Sequence, residues 1–144
     1  MIAVGWNNAE LRGEALLTAT GGLADDTGLT TCVLLSLFLD RRARADDALP
    51  DPASADRRGW VGDAFDTTDR IGSRLWLLTR EKATEETRRR AEEFAAEALD
   101  WLVEDGLATA VRISAEWVAM GVLGLRVEVD AAAGAFSETF MIRL

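Results

Sequence analysis

TEETRRRAEEFAAEALDWLVEDG, residues 84–106, is the stretch that decides the fold. Thr84 is a capping residue, Glu85 and Glu86 follow where a first turn gains from negative charge, and Gly106 stands at the place of a C-terminal stop. Between them Ala91, Phe94, Ala95, Ala98, Leu99, Trp101 and Leu102 recur at helical spacing and make one apolar face. Arg88, Arg89, Glu92, Glu93 and Glu97 fall on the opposite face. Past Gly106 the period changes to two. Val111, Ile113 and Ala115 alternate with Arg112, Ser114 and Glu116, and Leu125, Val127 and Val129 alternate with Arg126, Glu128 and Asp130. Ala131 to Ala135, with Gly134, makes a turn, and Phe136, Glu138, Phe140 and Ile142 mark a last alternating strand to Leu144. A long helix packed on a three-stranded antiparallel meander is an α+β arrangement.

Upstream, the periodicity of Leu29 to Leu39 leaves buried helix or strand open. Capping candidates at Asp25, Asp26 and Thr27, the length of the run and an Arg41-Arg42 exit favour helix. Ile2 to Trp6 and Glu14 to Ala19 are short β-leaning runs separated by Asn7-Asn8 and closed by Gly21-Gly22, which predicts a hairpin or extended arm within residues 1–24. Asp46 to Asp56 holds both prolines, Pro50 and Pro52, and is a loop. The expected organisation is one domain, 1–144, with two main helices and a small C-terminal sheet.

Between the two helices lies DRRGWVGDAFDTTDRIGSRLWLL, residues 56–78, in which Arg57-Arg58-Gly59-Trp60-Val61-Gly62-Asp63 is followed by Ile71-Gly72-Ser73-Arg74-Leu75-Trp76. Ser73 to Thr79 is expected to turn into a short helix. Glycine permits close backbone approach, and Trp and Arg are enriched at the energetic centres of interfaces. The block is read as a rigid inter-helix brace with Trp60 and Trp76 packed inward. Arg57, Arg58 and Arg74 either pair internally with Asp56, Asp63 or Asp66 or reach the carboxylates of a neighbour, for which arginine's planar fork is suited. Arg57, Arg58, Trp60, Arg74 and Trp76 are the interface candidates.

The chain offers little to a catalytic reading. It has no histidine, which removes Ser-His-Asp and Cys-His chemistry and most zinc sites. Cys32, the single cysteine, lies beside Val33, Leu34 and Leu35 and is read as core filler that folds in a reducing compartment. Gly59-Trp60-Val61-Gly62-Asp63 lacks the ending and spacing of a phosphate loop. Asp25, Asp26, Asp46 and Asp47 sit where aspartate caps and turns, with no calcium-loop pattern. The adjacent pairs Glu85-Glu86 and Glu104-Asp105 point in different directions on a helix and form no dyad. The expectation is therefore no catalytic residues, no metal and no cofactor. The formal net charge of -9 argues against a nucleic-acid partner. The longest apolar run, Cys32 to Leu39, is too short to span a bilayer, so no membrane partner is expected.

Several segments together resemble the Mu-type phage tail protein family, small subunits of the contractile-tail baseplate. They are Leu29-Thr30-Thr31-Cys32-Val33-Leu34-Leu35-Ser36-Leu37-Phe38-Leu39-Asp40-Arg41-Arg42-Ala43, Leu49-Pro50-Asp51, both halves of the Trp/Gly/Arg block, and Ala98-Leu99-Asp100-Trp101-Leu102-Val103-Glu104-Asp105-Gly106, in family order. That family in turn is similar to the lysozyme-like wedge subunit of contractile injection systems, built as helix, loop, helix and short sheet. The resemblance implies a structural subunit that docks to neighbouring wedge proteins and anchors the tail sheath, with several copies around a central tail tube. It would reside in the virion tail, after assembly in the host cytoplasm. The wedge group's Glu-Pro-Arg motif is not intact here, where Glu104 is followed by Asp105 and Gly106. Strand addition is the expected route of assembly, with Val122–Val129 and Phe136–Leu144 as the candidate edges. Two other classes compete: a peptidoglycan hydrolase, which needs two carboxylates facing a sugar-sized groove, and a small anti-adaptor-like regulatory binder.

Overall fold

The computed structural model describes residues 1–25, 28–65, 70–132 and 134–144. A two-stranded hairpin, β1 (Val4–Asn7) and β2 (Arg12–Ala15), precedes helix α1 (Leu29–Phe38). Short 3-10 turns at Val61–Ala64 and Leu75–Leu78 lead to α2 (Glu85–Leu99) and α3 (Trp101–Glu104). An antiparallel sheet in the order β3-β4-β5 ends the chain: β3 (Ala108–Ala119), β4 (Val122–Ala131) and β5 (Gly134–Arg143). The α+β arrangement, the hairpin and the C-terminal meander match the expectation, and Ser73–Thr79 contains the expected helical turn.

In α2 the side chain of Thr84 accepts a hydrogen bond from the Thr87 N–H, and Ala91, Phe94, Ala95, Ala98 and Leu99 are buried. Arg88 pairs with both Glu85 and Glu92, and Arg89 with Glu86 and Glu93, one turn apart in each case. The expected single helix to Gly106 is divided at Asp100, where a local turn hands over to α3. Leu102 continues the buried face and Gly106, at φ +71°, ends it.

Helix α1 is apolar nearly all round, which is why its periodicity was ambiguous. Val33, Leu34 and Leu37 enter the core, and its two buried hydroxyls are both used. Thr31 accepts from the Val4 N–H of the hairpin at 3.1 Å, and Ser36 accepts from the Trp101 indole N–H at 3.1 Å. The expected side-chain cap is corrected. Gly28, at φ +100°, occupies the N-cap position, while Asp25 pairs with the N-terminal amine. Asp26 and Thr27 lie outside the described residues, as does Ala133 in the β4–β5 turn. No basic residue stands in the last turn of α1.

The sheet divides its faces cleanly. Leu123, Leu125, Val127 and Val129 of β4 and Phe136, Phe140 and Ile142 of β5 are buried against the helices. The other face carries a ladder in which Arg112 pairs with Glu128 and Asp130, and Arg126 with Glu128. The hairpin closes one end of the core through Trp6, which stacks on Phe38 at 3.9 Å between ring centroids and meets Phe140 edge-on.

The end of α1 is stitched to the chain ahead of α2. The Ser73 N–H donates to the Leu39 carbonyl, and the Arg41 N–H to the Ser73 carbonyl, each at 2.9 Å. Gly72 makes this crossing feasible. Its φ is +92°, and a Cβ there would stand 2.4 Å from the Leu39 carbonyl oxygen. One residue on, buried Arg74 stacks over the Phe94 ring and donates to Glu97 of α2 at 2.7 Å and to Asp47 of the preceding loop at 2.8 Å. Arg44 and Arg41 also reach Glu97, at 2.6 and 3.6 Å. Glu97, on the face opposite the apolar one as its spacing predicts, is half-buried under Arg41, Arg44 and Arg74.

Removing one partner of a buried ion pair strands the other, so Arg74→Ala should lower unfolding free energy by about 3 kcal/mol. Arg74→Lys should recover only part of it, because lysine cannot serve both carboxylates with one planar fork. Denaturant midpoints of the three proteins measure this; equal midpoints would contradict it. Burial alone would push the Glu97 carboxyl up, but the hydrogen bond from Arg74 and the charges of Arg74, Arg44 and Arg41 outweigh it and hold it below the ordinary glutamate range. The native state therefore binds fewer protons there than the unfolded chain. The Glu97 contribution is complete above the ordinary glutamate pKa and is lost as pH falls through the lowered native value. Glu97→Gln should weaken the chain at neutral pH and flatten its loss of stability in that acid window, read from unfolding curves at stepped pH.

Candidate interaction surface

Trp76 is buried, as expected of the brace, and its indole N–H donates to the Arg41 carbonyl at 2.8 Å. The Arg58 guanidinium lies over the Trp76 ring, 4.4 Å from its centroid, and binds Asp40 at 2.8 Å. Arg58 sits at φ +51°, unusual for a residue with a Cβ, and its backbone N–H is held by the Asp56 carboxylate at 2.8 Å. The following Gly59 lies so close to Arg42 that a Cβ would meet Arg42 Cβ at 2.7 Å. A sharp backbone corner thus presents Arg58 and Asp40 at the surface, directly above a core tryptophan.

Arg57 turns the other way and donates to the carbonyls of Arg44 and Ala45. Arg74 is spent inside, on Asp47 and Glu97. The internal partners expected for these arginines are therefore corrected to Asp40, Asp47 and Glu97. Asp56 binds backbone, the Asp63 carboxylate has no hydrogen-bond partner, and Asp66 lies outside the described residues.

Trp60 does not pack inward. It is 59% exposed, with Val61 at 77% and Phe65 at 91% beside it. Its ring folds back over Gly62, where a Cβ would lie 1.9 Å from the nearest ring carbon. Tucking against its own turn leaves the indole no path to the core. The Trp60–Phe65 turn is thus an apolar projection, whereas the Ile71–Trp76 half of the block is a buried strut.

Two surface grooves flank the Trp6–Phe38 stack. The larger, about 430 Å³, runs between the hairpin and α1, past Val4, Gly13, Leu34 and Leu35. The smaller, about 230 Å³, lies between Arg58, Trp76, Leu11 and the C-terminal Ile142 to Leu144.

The sheet edges differ from the expectation in one respect. Val122–Val129 belongs to β4, the central strand, and has no open edge. The edges are β3 and β5, and both are partly sealed by the chain itself. On β5, Asn8 accepts from the Met141 N–H at 2.8 Å and donates to the Thr139 carbonyl at 3.0 Å, while the Trp6 indole donates to the Met141 carbonyl at 3.0 Å. On β3, Glu92 accepts from the Ala115 N–H at 2.8 Å and Arg88 donates to its carbonyl at 3.1 Å. Trp6, Asn8, Arg88 and Glu92 were not foreseen in this role. Asn7-Asn8 was legible only as a turn, and these contacts join residues far apart in sequence. By the alternation of an antiparallel ladder, Ala135 and Ser137 share the outward side of β5 with Thr139 and Met141 but lie beyond the reach of the Asn8 clamp.

Among the described residues no group of three or more acidic or cysteine side chains could hold a metal ion, and no helix is long and apolar enough to cross a membrane. Glu85 and Glu86 are tied to Arg88 and Arg89. The surface carries an apolar projection, an arginine corner at positive φ and a partly open strand edge.

Residues 29–135 match the family described as Phage protein GP46. The chain is 50% identical over 125 residues to the baseplate protein gp46 of Escherichia phage Mu, covering 86% of this chain and 82% of that protein. It is 36% identical over 126 residues to the Mu-like prophage FluMu protein gp46 of Haemophilus influenzae, covering 88% and 83% respectively. The family match spans α1, the Trp/Gly/Arg block and α2, and with these two relatives it shows that the chain belongs to the GP46 family of Mu-type phage baseplate proteins.

Proposed function

We propose that this chain is a structural subunit of a contractile phage-tail baseplate, a wedge protein that docks on neighbouring wedge subunits and anchors the tail sheath. The observation that carries this reading is its 50% identity, over most of both chains, to a protein named for the Mu baseplate. Residues 1–144 act as one wedge-like domain, with the hairpin of 1–24 as an arm folded onto it. Several copies surround a central tail tube in the virion, after assembly in the host cytoplasm. The role is structural and not enzymatic.

The surface chemistry supports such a role. Of the interface candidates, Arg58 and Trp60 make the contact, while Arg57, Arg74 and Trp76 hold the backbone that presents them. Arg58 is pre-placed by its bonds to Asp40 and Asp56, so little side-chain freedom is lost on binding. The Ala135–Ser137 half of β5 receives an extended segment of a neighbour by strand addition, since its outward N–H and C=O groups are not met by the Asn8 clamp.

The test is incorporation into tail particles made from this chain's own tail genes. The wild-type chain should be found in purified tails in several copies. Ser137→Pro removes an outward N–H at a sheet edge, where proline is tolerated, so the isolated subunit should stay folded while incorporation drops at least about tenfold. Normal incorporation of Ser137→Pro would remove the strand-addition route; absence of the wild-type chain from tails would overturn the whole reading.

A further inference from the structure

Asp63 sits within the Trp60–Phe65 projection, and both its carboxylate oxygens are shielded from solvent without a hydrogen-bond partner. A carboxylate taken out of water without a donor or counter-charge is among the costlier arrangements a small protein can keep. The neighbouring arginines do not meet it: Arg57 bonds to the Arg44 and Ala45 carbonyls, Arg58 to Asp40, Arg74 to Asp47 and Glu97, and the exposed Arg70 makes no hydrogen bond to the Asp63 carboxylate. The same turn carries the exposed side chains of Trp60, Val61 and Phe65. The Trp60 ring is held in place over Gly62, a position that admits no side chain without displacing it. An uncompensated anion in the same turn as exposed aromatic side chains is one half of an interface, since energetic centres pair desolvated charge with aromatic anchors.

We propose that the Trp60–Phe65 turn is a docking knuckle whose occupant is a cationic residue, arginine or lysine, set beside an apolar recess on a different baseplate subunit. The aromatic side chains fill the recess and exclude water, and the Asp63 side chain rotates outward so that the cation closes on its carboxylate. This rests on the baseplate reading above and adds the chemistry of the partner. A second copy of this chain is a poorer occupant: at a net charge of -9 its copies repel one another.

Asp63→Asn tests it, because the proposal requires opposite effects on the free and assembled protein. In the isolated subunit, replacing an unpaired carboxylate with a neutral amide should leave the melting temperature unchanged or raise it by about 3 °C. In tail particles the same variant should incorporate at least about tenfold less than wild type. Phe65 replaced by benzoyl-phenylalanine, irradiated in assembled tails and mapped by mass spectrometry, should cross-link within a few residues of an arginine or lysine of another tail protein. A lowered melting temperature for Asp63→Asn would mean that the chain itself satisfies the carboxylate, and would overturn the proposal. So would normal incorporation of the variant, or a cross-link only to another copy of this chain. If wild-type protein is missing from the tails, the baseplate reading fails instead, so the two failures are distinct.

Discussion

Glu97 stands where Arg41, Arg44 and Arg74 converge, and the architecture depends on that convergence. Residues 40–47 leave α1, residues 71–78 approach α2, and Glu97 projects from α2 itself; the backbone bridge between Asp40 and Ser73 joins the first two pieces, and among the described residues no strand ties either of them to α2. Arg74 brings all three together through one planar group that stacks on Phe94, binds Glu97 on one side and meets Asp47 on the other. A guanidinium can make that three-way joint because its donors lie in a fixed fork and its face is weakly hydrated. With the joint made, Gly72 carries the chain past the Leu39 carbonyl and Trp76 drops into the core below Arg58.

The same joint separates what the Trp/Gly/Arg block does inside the subunit from what it offers outside. Its second half is load-carrying: Ser73, Arg74 and Trp76 all bond to α1's exit, its following loop or α2. Its first half is anchored at the Arg58–Gly59 corner and then turns away, so Trp60, Val61 and Phe65 project. A rigid base beneath an exposed apolar tip is the arrangement that loses least entropy on binding. The partly sealed edges of the sheet follow a related logic. Asn8, Trp6, Arg88 and Glu92 occupy selected backbone groups of β5 and β3, which limits indiscriminate strand pairing while leaving part of β5 open.

Much of this frame is legible in the amino-acid order because it is periodic. The buried face of α2 from Ala91 to Leu99, the stop at Gly106 and the alternation of β3 to β5 all follow from local spacing. The hairpin was visible from its β-leaning runs and their turn residues. Less legible were the features that depend on distant partners. Trp60 and Trp76 have similar surroundings in sequence, each near glycine and arginine, yet they have opposite fates. Gly72 opens a path to the core for Trp76, whereas Gly62 is covered by Trp60's own ring. Glu97 reads as one more acidic residue on the face opposite the apolar one, since nothing local shows that Arg41, Arg44 and Arg74 fold over it. The edge assignment of Val122–Val129 conflicted with the meander itself, in which the second strand must be central.

The most direct measurement is a high-resolution electron-microscopy map of the assembled tail. The chain should appear in the baseplate, with Trp60 and Phe65 enclosed by another subunit and a cation against Asp63. A map that places the chain there with the Trp60–Phe65 turn open to solvent, or that contains no copy of the chain, would contradict this.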